Sequence, residues 1–226
     1  SKRATSLQDT ALSVSAISGA DLAKLGITSF DQIMNTIPGV TLIESGPGSS
    51  KLVMRGISTT SFGGGSPTTS TYIDEFPIAL RDTDIKLVDM ARVEALKGPQ
   101  GTLYGQSALG GVTRYITNKP NMGAVAGGFD VSALNVADGD NGYQGNGYIN
   151  IPLSETLAVR GVFYQYDNPG FIDNLGTNTK DVNNEEVTGG RLALRWDISD
   201  RTEFSFLYLN QTQSVGFNQG NGLQAP

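Results

Sequence analysis

The 226-residue chain contains no cysteine and no histidine. Their absence excludes, within this chain, zinc sites, thiol nucleophiles, haem ligation through either residue and serine–histidine catalysis. A chain without cysteine fits the cytosol or a bacterial envelope equally, so compartment does not follow from it. No apolar run reaches about 18 residues, which leaves no spanning helix. No signal peptide opens at Ser1-Lys2-Arg3. Basic residues are outnumbered 16 to 22, for a net charge of −6. Nucleic acid is a poor partner for such a balance, because its binding rests on Lys and Arg contacts to phosphate. Carboxylate pairs occur without any pocket pattern, so glycosidase chemistry has no support. No cofactor and no resident metal is expected.

What the chain has in plenty is glycine, 29 residues, and its organising stretch runs from Arg92 to Pro120. A short apolar run ending at Leu96 leads into Lys97-Gly98-Pro99, then Gly101, Gly105 and Gly110-Gly111, then the alternating segment Val112 to Thr117. Glycines supply positive φ and let one backbone approach another, so the stretch reads as strand, tight excursion, helical turn, strand. It is not a phosphate cradle: Val112-Thr113 follows Gly111 where a P-loop needs Lys and a hydroxyl.

The same stretch resembles the end of the plug domain of TonB-dependent outer-membrane receptors. That family's consensus runs V-E-V-L-R-G-P-Q-G-T-L-Y-G-x-x-A-x-G-G-V-I-N-I-I-T-K-K-P. The chain matches it at Val93, Glu94, Leu96, Gly98 to Gly105, Ala108, Gly110 to Val112, Ile116, Thr117, Lys119 and Pro120. It departs at Lys97, where Arg is usual, and at Thr113-Arg114-Tyr115, where Ile-Asn-Ile is usual.

Upstream, Ala11 to Ser18 reads as a strand and Ser18 or Gly19 opens a short helix closed by Gly26. Ser29 with Gln32 marks a second capped helix whose buried side is Phe30, Ile33, Met34 and Ile37, ended by Pro38-Gly39. Short strands follow at 40–43 and 52–54, the second running into Arg55-Gly56-Ile57, which is also a family mark. Residues 59–71 form a polar Gly/Ser/Thr loop. Tyr72 to Pro77 resembles the family hairpin V-Y-V-D-G-V-P, with Glu75 where Gly is usual. A second loop at 80–84 lies on the same side. Lys86, and Asp89 through Glu94, read as ordinary surface charge.

After Pro120 the texture changes. Five segments, near 125–135, 143–153, 156–166, 187–197 and 202–213, alternate apolar and polar residues. Leu192, Leu194 and Trp196 share one face, with Arg191, Arg195 and Asp197 on the other. Such a dyad pattern, about ten residues to a strand, is that of a transmembrane barrel, although a soluble sandwich also alternates. Asp138-Gly-Asp140-Asn141 resembles the start of a calcium loop but lacks the downstream Glu of an EF-hand, and reads as a hairpin turn.

The expected fold is an α+β plug domain over 1–120, followed over 121–226 by about five antiparallel strands of an incomplete transmembrane β-barrel. Family receptors close with about 22 strands, so the chain is expected to be the N-terminal part of one, its TonB box lying upstream of Ser1. The resemblance implies a location in the outer membrane of a Gram-negative bacterium, with TonB, outer-membrane lipid and a small-molecule cargo as partners. It implies transport rather than catalysis, with ferric siderophore as the first cargo and saccharide or cobalamin as the alternative. A β-rich binding or adhesin module is the competing class. Candidate cargo residues are Phe62, Thr69, Tyr72, Arg81 and Asp82 on the two loops; a plug–barrel latch is expected at Arg55, Glu94 and Lys97.

Overall fold

The computed structural model describes residues 13–27, 29–34, 36–44, 50–58, 68–78, 85–104, 108–137 and 139–216. They divide into two compact units, the first ending at Thr117 and the second taking up the chain at Asn118.

The first unit opens with β1 (Ser13–Ser18) and α1 (Gly19–Lys24). Ser18 ends the strand and caps the helix: its Oγ accepts the Asp21 N–H at 3.1 Å and donates to Asp21 Oδ2 at 2.6 Å, satisfying a donor that the first helical turn leaves without a partner. α2 (Phe30–Met34) carries the return half of the expected capping box, Gln32 Oε1 accepting the Ser29 N–H at 3.4 Å. Ile33, Met34 and Ile37 are buried, as the spacing predicts. β2 (Val40–Glu44), β3 (Ser50–Met54) and β4 (Ile57–Ser58) make a small antiparallel sheet. Its β3–β4 turn is Arg55-Gly56, both at positive φ (51° and 78°). A two-residue turn of this sign follows the twist of the flanking strands.

The main sheet has the order β1-β7-β8-β5-β6, with β5 (Thr69–Ile73), β6 (Phe76–Ile78), β7 (Met90–Lys97) and β8 (Gly111–Thr117). β5 pairs with β8 in parallel and the other neighbours are antiparallel. Between β7 and β8 lies the expected excursion: Gly98 N–H to Gly110 O at 3.0 Å, Gln100 N–H to Ala108 O at 2.8 Å, and the single turn α3 (Gly101–Tyr104). The two central strands are the heart of the unit, with Val93, Ala95, Leu96, Val112, Thr113 and Tyr115 buried. Leu96, Tyr104, Ala108 and Val112 pack together under Val14 and Tyr72.

Two residues read as surface charge are not. Lys86 is 5 % exposed, within the buried run Ile85 to Val88. The Glu94 side chain is 13 % exposed, because it is held between the guanidinium groups of Arg92 and Arg114.

The second unit is an antiparallel meander of β9 (Ala126–Asn135), β10 (Asn141–Pro152), β11 (Leu157–Asn168), β12 (Glu185–Ser199) and β13 (Thr202–Val215), paired in chain order. Long connections, 136–140 and 169–184, alternate with short ones, 153–156 and 200–201. Asp140 lies in a hairpin turn, its carboxylate accepting the Asn141 N–H. Strand register carries the alternation across the sheet. Arg160 stands opposite Asn150 and Ala193, and Tyr164 opposite Asn146 and Gly189, on a polar face. Ile149, Phe163, Leu192, Trp196, Phe204, Phe206 and Tyr208 are exposed on the other. Among the described residues this sheet is open, with β9 and β13 at its edges.

Candidate functional site

Each end of the first unit's sheet gathers a different set of residues. The chain enters β5 at Thr69 from the segment before it and leaves β6 at Ile78 into the segment after it. Because Thr71 stands opposite Ile78, both segments issue from one end of the sheet. β5 runs parallel to β8, with Thr69 opposite Gly111 and Ile73 opposite Tyr115. That shared end is therefore the start of β8, away from Thr117, where the first unit finishes. Phe62, Arg81 and Asp82 lie in these segments and outside the described residues. Thr69 is half-buried at the stem, next to Gly110, whose N–H donates to Thr68 O at 2.9 Å. Tyr72 turns inward: its hydroxyl donates to Tyr104 O at 2.7 Å, and the two rings meet edge to face with centroids 5.0 Å apart. It supports the stem from within.

At the opposite end a charge cluster crosses three elements. Arg114, on β8 and 4 % exposed, donates from one guanidinium nitrogen to Glu94 Oε2 at 2.9 Å and from another to Glu75 Oε1 at 2.8 Å. Glu94 also accepts Arg92 Nε at 2.7 Å. Two bases and two acids balance, which a buried guanidinium requires. Arg114 also lies 5.8 Å from the centroid of the Tyr104 ring. Burial pushes the Tyr104 phenol above its ordinary value, with the Arg114 charge opposing the shift. Beside the cluster, Asp74 takes a left-handed turn conformation (φ 51°), and its two carboxylate oxygens accept the Thr117 N–H at 2.9 Å and the Thr117 hydroxyl at 2.8 Å.

Of the three latch residues, the structure brings two together. Arg55 donates its backbone N–H to Gly39 O, and its guanidinium lies beside Gly98. Lys97 Nζ donates to Pro38 O at 2.8 Å. Glu94 stands lower on the same strand, in the Arg114 cluster. Sequence reasoning missed Arg114 and Asp74. The available signal was a pair of departures from the plug consensus, an acid at 75 for Gly and a base at 114 for Asn, which would have drawn attention only if considered together.

A small mixed sheet with a glycine-rich excursion, followed at once by long alternating antiparallel strands, defines a plug and the first part of a barrel wall. Residues 6–112 match the family described as the TonB-dependent receptor plug domain, and the chain belongs to the TonB-dependent receptors of the Gram-negative outer membrane. It is 28 % identical over 224 residues to the pesticin receptor of Yersinia enterocolitica, covering 93 % of this chain and 32 % of that protein. It is also 28 % identical over 170 residues to the iron-regulated outer membrane virulence protein of Vibrio cholerae, covering 68 % of this chain and 24 % of the relative. Among solved structures it resembles the ferric yersiniabactin uptake receptor of Yersinia pestis, with a TM-score of 0.78 and 25 % identity over 89 % of this chain and 32 % of that one. The ferripyoverdine receptor of Pseudomonas aeruginosa shares the fold at a TM-score of 0.74, with 20 % identity over 92 % of this chain and 26 % of that one. The chain thus spans about a third of the length of the Yersinia relatives it matches.

Proposed function

We propose that the chain is the N-terminal part of a receptor for active uptake of a ferric siderophore, in which TonB, engaged through a segment upstream of Ser1, displaces the plug. Such a receptor binds and moves its cargo and makes or breaks no bond in it. The observation that carries the reading is the common origin of the two loop segments, 59–68 and 79–84, at one end of the plug sheet. In this reading that end faces outward and forms the floor of the cargo site, with Phe62, Thr69, Arg81 and Asp82 at its surface and Tyr72 beneath. Arg81 suits an anionic iron complex, since its guanidinium presents several donors, and Phe62 supplies apolar contact. Similarity to the ferric yersiniabactin receptor over 89 % of the chain supports an iron complex over other cargo.

The reading is tested by equilibrium binding of ferric yersiniabactin, ferripyoverdine, a ferric catecholate, cobalamin and a maltooligosaccharide to the full-length receptor, wild type against Arg81→Ala and Phe62→Ala. A ferric complex should bind, and Arg81→Ala should weaken it about tenfold or more. Preference for the saccharide or cobalamin would overturn the siderophore reading. A ferric complex that binds both variants as it binds wild type would move the site to barrel loops beyond this chain.

The latch belongs to the same proposal. Arg55 and Lys97 lie at one end of β7 and Glu94 on its face, where they have partners within the plug; in this reading they also pair with charges on wall strands that follow this chain. Glu94→Lys in the full-length receptor should raise permeability to large antibiotics, and normal exclusion with normal uptake would count against the latch.

A further inference from the structure

We infer that Arg114 is a positioning residue that fastens the β5–β6 hairpin, and with it the stems of both outer loops, to the exit strand β8. The hairpin is weak by itself. It has three cross-strand pairs, Thr71–Ile78, Tyr72–Pro77 and Ile73–Phe76, and Pro77 lacks an N–H. Two strands of this length are not stable alone in water.

β8 pairs with β5 in parallel from Thr69 to Ile73, and beyond that ladder it also holds the tip of the hairpin, leaving β6 as the edge strand. The Asp74 N–H donates to Tyr115 O at 2.7 Å, and the Asp74 carboxylate receives the Thr117 N–H and hydroxyl. Glu75, next in the turn, receives Arg114 at 2.8 Å while the same guanidinium holds Glu94 on β7 at 2.9 Å. One side chain therefore joins the hairpin tip, the exit strand and the central strand. Its bonds are charge-assisted; the one to Glu94 is shielded from solvent, whereas Glu75 is 59 % exposed and its bond is correspondingly screened.

Glu75 and Arg114 are two of the positions at which this chain leaves the plug consensus, an acid for Gly and a base for Asn, and they meet each other. Without Glu75 the hairpin loses its ionic contact, whereas Arg114 keeps Glu94. Without Arg114, both acids lose their shared partner. The fastening lies at the opposite end of β5 from Thr69. The importance of those loops rests on the function proposed above; the fastening itself does not.

Amide hydrogen exchange of the full-length receptor in detergent micelles tests it, comparing wild type with Glu75→Gln, Glu75→Asp and Arg114→Asn. Glu75→Gln should speed exchange over residues 69–78 by about two- to fivefold and Arg114→Asn by about tenfold, with the β1–β7 ladder, 13–18 against 92–97, unchanged in Glu75→Gln. Glu75→Asp, which keeps the charge, should restore most of the protection. Wild-type exchange in Glu75→Gln would overturn the inference. So would equal loss of protection in the β1–β7 ladder, or an Asp variant as fast as the Gln variant. No cargo enters this experiment, so failure of the wild-type receptor to bind any ferric complex would remove the siderophore reading and leave the exchange result standing.

Discussion

Asn150 holds Asn121 as one strand holds another. Its side-chain oxygen accepts the Asn121 N–H at 2.9 Å, and its amide nitrogen donates to Asn121 O and to Ala124 O, each at 2.9 Å. The side chain is 1 % exposed on the polar face of β10. The segment that follows the plug is thus fixed to the wall before β9 begins.

Asn150→Ala should therefore loosen this segment. Removing one side of buried hydrogen bonds costs about 1–3 kcal/mol. Asn150→Asp should be worse, because a carboxylate would face two carbonyl oxygens it cannot donate to. Protease cleavage within 118–125 of the full-length receptor in detergent, read with its unfolding midpoint, checks the order Asp, Ala, wild type. Equal resistance in all three would mean the amide does not hold the segment.

Gly111 gives a sharper test of the plug core. Its φ is +152°, and a Cβ there would collide with Met54 Sδ and lie 2.5 Å from Leu96 O. Met54 could shift; the Leu96 carbonyl is backbone of the adjacent strand. Gly111→Ala should cost roughly 1–3 kcal/mol from overpacking, with conformational strain added. Gly101→Ala, where nothing lies within 4 Å of the added carbon, should cost much less. The two midpoints in denaturant unfolding of the full-length receptor should differ accordingly, and equal midpoints would refute the packing argument.

These residues also show what a sequence can and cannot reveal here. Ser29 with Gln32, and Leu192, Leu194 and Trp196 against Arg191 and Arg195, were legible because capping and strand alternation act over a few residues. The parallel pairing of β5 with β8 was not, since it joins segments about forty residues apart and no local period reports it. The contact of Glu75 with Arg114 depends on that pairing, and so was invisible as a contact even though each residue stood out against the consensus. Lys86 failed for a related reason. Its charge suggests solvent, but its burial at 5 % exposure within the buried run Ile85 to Val88 is a tertiary property that no local pattern reports. The candidate cargo residues were chosen from loop composition, and three of the five lie outside the described residues.

Tyr104 supplies a pH dependence with a definite sign. Its phenol is raised by burial above the ordinary value of 10.0, so the folded state favours the protonated form. The associated stability is fully present below the unfolded value of about 10 and is lost as pH rises from there through the folded value. Unfolding free energy of the wild-type receptor should fall more steeply above about pH 10 than that of Tyr104→Phe, which has no phenol to ionise. Parallel slopes for the two proteins would show that Tyr104 is not the group responsible.

The last test separates a membrane wall from a soluble sheet. On β13, Phe204, Phe206 and Tyr208 are exposed on the apolar face, while Ser205 stands opposite Arg195 on the polar face. In a soluble sandwich the apolar face would be covered by a second sheet; here Ile149, Phe163, Leu192 and Trp196 on that face are exposed, and Leu157, Val159 and Leu194 between them are partly so. Such a continuous patch exceeds what a soluble monomer tolerates, so residues 1–226 produced alone should aggregate unless detergent is present. In the full-length receptor, Phe206→Arg should cost about 2–4 kcal/mol of folding free energy in a bilayer, as charge near the midplane does. Ser205→Arg, one residue away, should cost little, because its side chain lies on the polar face opposite Arg195. Denaturant titration of refolding into phospholipid vesicles measures both, and a small penalty at 206 with a large one at 205 would reverse the assignment of faces.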